Sequence, residues 1–122
     1  MGKTILVVED NPDILDLLKD RLEFEKYAVL TATNGQDGLE KARKEKPDLI
    51  ILDLMLPLID GYKVCGLLKA DTRYNKIPII ILTARGQDSD KEMGKEAGAD
   101  AFLNKPFEPQ TMLGEIKKLL KE

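Results

Sequence analysis

The sequence predicts an α/β domain, a doubly wound parallel sheet with helices on both faces, and two observations carry that expectation. Three short aliphatic runs, Ile5-Leu6-Val7-Val8, Leu49-Ile50-Ile51-Leu52 and Ile79-Ile80-Ile81-Leu82, have the continuous β-branched character of strands buried on both sides. Stretches with helical spacing lie between and after them, so strand and helix alternate along the chain, the pattern of parallel sheets with crossover helices. At 122 residues one domain, spanning 1–122, is expected. That length buries a sizeable core without disulfides or metal staples.

The elements follow in order. Residues 5–8 form the first strand. Asn11-Pro12 opens the first helix, with Pro12 suited to its first turn and Ile14, Leu15, Leu18 and Leu22 at helical spacing. A weaker strand is predicted at Ala28 to Ala32, then a helix from about Gln36 to Lys44. The strand at 49–52 precedes a helix from about Gly61 to Ala70, for which Asp60 is the expected cap. After the strand at 79–82 comes a polar helix, Asp88 to Ala97, which has only Met93 and Ala97 to bury. Gly94 inside it costs up to about 1 kcal/mol relative to alanine, so this helix is expected to be the least stable element. A short strand at Ala101 to Leu103 and a helix with the stripe Met112, Leu113, Ile116, Leu119 and Leu120 complete the series.

Composition narrows the chemistry. Apolar residues make up 43% and charged residues 34%, a soluble globular balance. No apolar run approaches a membrane span, and the run after Thr4 is too short for a signal peptide, so a cytoplasmic location is expected. One cysteine, Cys65, excludes an internal disulfide or a multi-cysteine zinc site; it reads as a small buried apolar residue. The absence of histidine excludes Ser-His-Asp and Cys-His pairs and most transition-metal sites, leaving a hard cation held by oxygen. Net charge is −3 and the lysines are dispersed, so direct nucleic-acid binding is not expected.

The strong strands end in oxygen-bearing residues: the first in Glu9-Asp10, the central one in Asp53, the fourth in Thr83; Asn104-Lys105 follows the fifth. A parallel sheet brings these ends to one edge, where ligands bind in such folds. Three carboxylates there repel one another, and Mg²⁺ neutralises such a cluster with oxygen ligands and retained water. Each residue also has an ordinary explanation. Asp10 or Asn11 can cap the first helix, Glu9 can be a strand-end charge, Thr83 can simply end its strand, and a lysine such as Lys105 is usually solvated. Asp53 differs, because it follows four aliphatic residues and has no helix to cap: Leu54-Met55-Leu56-Pro57 comes next.

Taken together, Ile5-Leu6-Val7-Val8-Glu9-Asp10, Leu52-Asp53-Leu54-Met55-Leu56-Pro57 with Asp60-Gly61, Leu82-Thr83-Ala84, Gly98-Ala99-Asp100 and Lys105-Pro106-Phe107 resemble the bacterial response-regulator receiver domain over essentially the whole chain. The resemblance implies a flavodoxin-like three-layer sandwich with strand order 2-1-3-4-5. It implies phosphorylation at Asp53, with Asp10, Asp53 and the Met55 backbone carbonyl binding Mg²⁺ (or Mn²⁺) directly and Glu9 acting mainly through water. Thr83 and Lys105 would contact the phosphoryl group. Phe102, where tyrosine is common, would be the switch aromatic, or a core residue, and the Lys105-Pro106 bond would be cis.

The implied function is a phosphoryl-accepting switch of a two-component phosphorelay. It would catalyse its own phosphorylation and dephosphorylation rather than act as a conventional enzyme. With no histidine in the chain, the phosphoryl donor would be a sensor histidine kinase or a histidine phosphotransfer protein. The output face is expected around residues 88–97, strand five and the last helix, with Met55 and Arg85 tuning phosphoryl lifetime. The segment around Asp53 is most similar to OmpR-type regulators, which dimerise through that face by cross-subunit ion pairs. Lys91, Glu96, Asp100 and Lys117 match that pattern, whereas Ala101, Thr111 and Glu115 depart from it. A Mg²⁺-dependent phosphohydrolase would share the aspartate but needs a substrate pocket, for which the chain has no cap insertion. An unphosphorylated interaction module would need none of these side chains. A flavin site would need a Ser/Thr/Gly-rich first turn, where this chain has acids.

Overall fold

The structure is a computed structural model that describes residues 2–83 and 88–122, with the backbone alone over 88–91. The elements are β1 (Thr4–Val8), α1 (Pro12–Phe24), β2 (Ala28–Ala32), α2 (Gly35–Glu45), β3 (Leu49–Asp53), α3 (Gly61–Lys69), β4 (Ile79–Thr83), α4 (Asp88–Ala97), β5 (Ala101–Asn104) and α5 (Pro109–Leu120). The five strands are all parallel, in the order β2-β1-β3-β4-β5. The chain winds outward from β1 to β2, then crosses back past β1 to β3. That reversal opens a crevice at the carboxyl ends of β1 and β3.

The aliphatic runs are explained by burial on both faces. Ile5, Val7, Leu49, Ile51, Ile80 and Leu82 face one core, shared with Leu18 and Leu22 of α1 and Met112 and Ile116 of α5. The alternate residues Leu6, Val8, Ile50, Leu52, Ile79 and Ile81 face the other, against Leu39 and Ala42 of α2 and Val64, Cys65 and Leu68 of α3. All twelve of these strand residues are fully buried, each contributing about 2 kcal/mol of transfer free energy. The edge strands β2 and β5 are only partly covered, which is why their sequences are less apolar.

Helix starts follow local chemistry. Asn11 caps α1 by accepting from the Asp13 and Ile14 amides, Asn34 accepts from the Asp37 amide, and Asp60 from that of Lys63. Cys65 is buried, its thiol held up at about 11 by that burial.

The α4 helix departs from the sequence expectation. Among its described side chains, Met93 is half exposed, Ala97 is partly buried against the α2–α3 core, and Gly94 is buried. A β-carbon at Gly94 would lie 2.2 Å from Cε1 and 2.8 Å from Cζ of Phe102, so the glycine is the seat on which that ring rests. The connection from α4 to β5 is anchored. The Lys69 ammonium binds the Asp100 carboxylate at 2.8 Å and the carbonyls of Ile77 at 2.7 Å and Asn75 at 3.1 Å, and the Ile79 amide donates to Asp100 at 2.8 Å. Asp100 is thus engaged within its own fold.

At the end of the sheet away from the crevice, the Tyr27 hydroxyl donates to the Glu122 carboxylate at 2.8 Å. Burial, that hydrogen bond and the charges of Glu122 and Glu25 raise the phenol from 10.0 to about 12. A raised folded-state value means this contribution to stability is complete below pH 10 and is lost as pH rises toward about 12. Denaturant titrations across that window should show a loss of up to about 2 kcal/mol that Tyr27→Phe lacks. Equal slopes for the two proteins would remove Tyr27 from the account.

Candidate functional site

The site stands at the crevice. β1 places Glu9 and Asp10 immediately after its last residue, and the Glu9 amide continues the ladder by donating to the Ala32 carbonyl at 3.0 Å. Glu9 is fully buried, one carboxylate oxygen accepting from the Asn11 amide at 3.1 Å and the other 2.8 Å from the Lys105 ammonium. Asp10 is exposed. Because Asn11 takes the capping role, the Asp10 carboxylate is not the cap of α1.

Asp53 ends β3 and is 4% exposed. Its Oδ1 accepts from the Met55 amide at 3.4 Å and lies 3.2 Å from the Lys105 ammonium. Carboxylate oxygens of Glu9, Asp10 and Asp53 fall within 4.8 Å of one another, although Asp53 is distant in sequence from the other two. Lys105 follows β5, its amide donating to the Thr83 carbonyl at 2.7 Å, and its bond to Pro106 is cis. Burial alone would lower the Lys105 pKa; the carboxylates of Glu9 and Asp53 more than offset that and raise it.

Among the described residues, three carboxylates meet one ammonium, a formal excess of two negative charges. Such a cluster suits one divalent cation with a preference for oxygen. The donor set contains carboxylates and no sulfur or imidazole, which favours Mg²⁺ over softer metals.

Thr83 ends β4, fully buried, and its hydroxyl donates to Asn104 Oδ1 at 2.9 Å rather than to the acidic cluster. Phe102 is partly buried against the α2–α3 core, in contact with Gly94. Met55 is 73% exposed at the mouth of the site. Arg85 lies outside the described residues. Two features carried no clear sequence signal. One is the Asn104 partner of Thr83. The other is Leu58, which has φ 71° and is exposed at a tight turn closed by the Ile59 amide on the Pro57 carbonyl at 2.9 Å.

The fold and this acidic site define a class, and comparison with known proteins identifies it. The chain belongs to the response regulator receiver domain family, which it matches over residues 5–117. It is 45% identical, over 99% of its length, to the alkaline phosphatase synthesis transcriptional regulatory protein PhoP of Bacillus subtilis (strain 168), of which it covers 50%. The chain thus spans about half the length of the curated relatives it matches. A response regulator from Chloroflexus aurantiacus J-10-fl superimposes with TM-score 0.95 at 37% identity, each chain fully covered. The receiver domain of the sensor histidine kinase PA1611 of Pseudomonas aeruginosa PAO1, solved with a magnesium ion coordinated in its active-site cleft, gives 0.92 at 30% identity, again with full coverage of both. Among the described residues, no helix is long and apolar enough to cross a membrane.

Proposed function

We propose that this domain is a phosphoryl-accepting switch and that Asp53 is the acceptor. The observation that carries this reading is a carboxylate that is 4% exposed, 3.2 Å from a lysine ammonium and within 4.8 Å of two further acidic side chains. An Asp53 oxygen attacks the phosphorus of a partner's phosphohistidine. The new P–O bond forms as the P–N bond breaks, and its electron pair leaves on the imidazole. Lys105 offsets negative charge developing on the transferred group. Asp10, Asp53 and the Met55 carbonyl would hold Mg²⁺, with Glu9 acting through water, and the bound ion would supply further neutralisation of the transferred group's charge. Hydrolysis later returns Asp53 to its carboxylate, so the domain governs its own signal lifetime, with Met55 and Arg85 controlling access of water.

Phosphorylation turns one negative charge into roughly two and adds acceptor oxygens. Thr83 donates to one of them, Phe102 repacks, and the pre-existing equilibrium of α4, β5 and α5 shifts. The partner is a sensor histidine kinase or a phosphotransfer protein in the cytoplasm. A groove lined by Ile14, Leu17, Lys105, Pro106 and Phe107 suits it, because Lys105 belongs to both groove and site. A homodimer through α4, β5 and α5 remains part of this proposal, with one restriction: Asp100 is already bound to Lys69.

Acetyl phosphate supplies a direct test. Intact-mass measurement should show one added phosphoryl group per chain with millimolar Mg²⁺ and essentially none with chelator. Labelling indifferent to the metal would refute the reading, and multiple turnover of phosphate esters would favour a phosphohydrolase.

A further inference from the structure

Thr83 is fully buried and its hydroxyl proton is committed to Asn104 Oδ1 at 2.9 Å. The pairing is imposed by the sheet. Thr83 and Asn104 are register partners at the ends of β4 and β5, and the Lys105 amide closes the ladder on the Thr83 carbonyl at 2.7 Å. A threonine hydroxyl has one proton to donate. If Thr83 donates it to a phosphoryl oxygen on Asp53, the bond to Asn104 must break first.

We propose that Asn104 is a positioning residue for the phosphoryl switch. Its side-chain oxygen holds the Thr83 hydroxyl away from the acidic site in the unphosphorylated protein, and the phosphoryl group competes with it for a single proton. The inference rests on the assignment of Asp53 as acceptor and Thr83 as phosphoryl contact. It goes further by naming the group that opposes the switch.

The competition has a consequence that an ordinary strand-end pair lacks. Removing the Asn104 oxygen leaves a buried hydroxyl without its acceptor, an unfavourable state that a phosphoryl oxygen would relieve. Loss of Asn104 should therefore destabilise the free protein while tightening its hold on a phosphoryl mimic. A side chain that merely supported β5 would weaken both.

The experiment is a titration with beryllofluoride at fixed Mg²⁺, which forms a phosphoryl-like adduct on a carboxylate, read by calorimetry on the whole 122-residue chain. Asn104→Ala should bind about threefold to tenfold more tightly than the unaltered protein, the worth of one net hydrogen bond. Its melting temperature should fall in the free state and recover with the adduct. In a Thr83→Ala background the Asn104→Ala change should alter affinity by less than about twofold, since the contested proton is gone. Asn104→Asp keeps an acceptor and serves where the alanine variant folds poorly. It should weaken binding more with Thr83 present than in the Thr83→Ala background. Unchanged or weaker binding by Asn104→Ala overturns the proposal, as does an effect of equal size in both backgrounds. If the unaltered protein binds no beryllofluoride at all, the Asp53 assignment itself falls, an outcome distinct from normal binding that is blind to Asn104.

Discussion

Asp53→Asn is expected to abolish labelling by acetyl phosphate while leaving the fold intact. Asparagine matches aspartate in size, so a position that is 4% exposed at the end of β3 stays filled. The amide is not a nucleophile toward phosphorus, and the loss should exceed about a hundredfold, since no other group substitutes for an absent nucleophile. The substitution also removes one of three carboxylates whose oxygens lie within 4.8 Å. Lys105 keeps its 2.8 Å partner in Glu9, so no ammonium is left alone. Without metal, the variant should be at least as stable as the original, because like-charge repulsion falls. With metal the order reverses. At a hundredfold excess over Kd, Mg²⁺ adds about 2.7 kcal/mol to the original protein, roughly 10 °C in melting temperature, and clearly less to the variant. Mass spectrometry and melting curves with and without Mg²⁺ check both halves. Persistent labelling would move the acceptor elsewhere, and an undiminished Mg²⁺ shift would remove Asp53 from the metal site.

Much of this site was legible in the sequence because a parallel sheet collects strand ends. Glu9, Asp10, Asp53, Thr83 and Lys105 each close or follow a strand, and the fold does the rest. What stayed hidden depends on which side chain meets which. The sequence leaves the α1 cap open between Asp10 and Asn11, and the amides of Asp13 and Ile14 donate to Asn11. Gly94 weakens α4 by propensity, but propensity counts only the helix's own backbone and does not show the Phe102 ring that packs against it from another strand. Met93 looked like a buried anchor because it is the large apolar residue of a polar helix, yet it is half exposed. Nothing in Pro57-Leu58-Ile59 signals a leucine at positive φ. Asp100 fits an intermolecular ion-pair pattern, and within the chain it also pairs with Lys69, a contact that the pattern does not show. Strand ends are one-dimensional information, whereas these pairings depend on register and rotamer.

Gly61→Ala is expected to cost about 1–3 kcal/mol and to loosen the metal site, despite placing a better helix former in the first turn of α3. A β-carbon there would stand 2.3 Å from the Asp53 carbonyl oxygen and 2.9 Å from the Leu54 α-carbon. Both are backbone atoms of the segment that presents Asp53, and the Gly61 amide donates to the Leu54 carbonyl at 3.0 Å, so neither partner yields cheaply. Relief of the clash must move the strand end, and with it the Asp53 carboxylate relative to Glu9, Asp10 and Lys105. Gly94→Ala is the informative control. Its nominal clash is just as short, 2.2 Å, but the atoms met are the far end of the Phe102 side chain, which can turn. The helix gains up to about 1 kcal/mol, the ring pays part of it back, and stability should change little. Urea denaturation and the Mg²⁺-induced melting shift separate the two. Gly61→Ala should lower both, whereas Gly94→Ala should leave the Mg²⁺ shift intact and alter the surroundings of Phe102 alone. Equal behaviour of the two variants would mean that the strand end gives as readily as a ring, and that Asp53 is not rigidly presented.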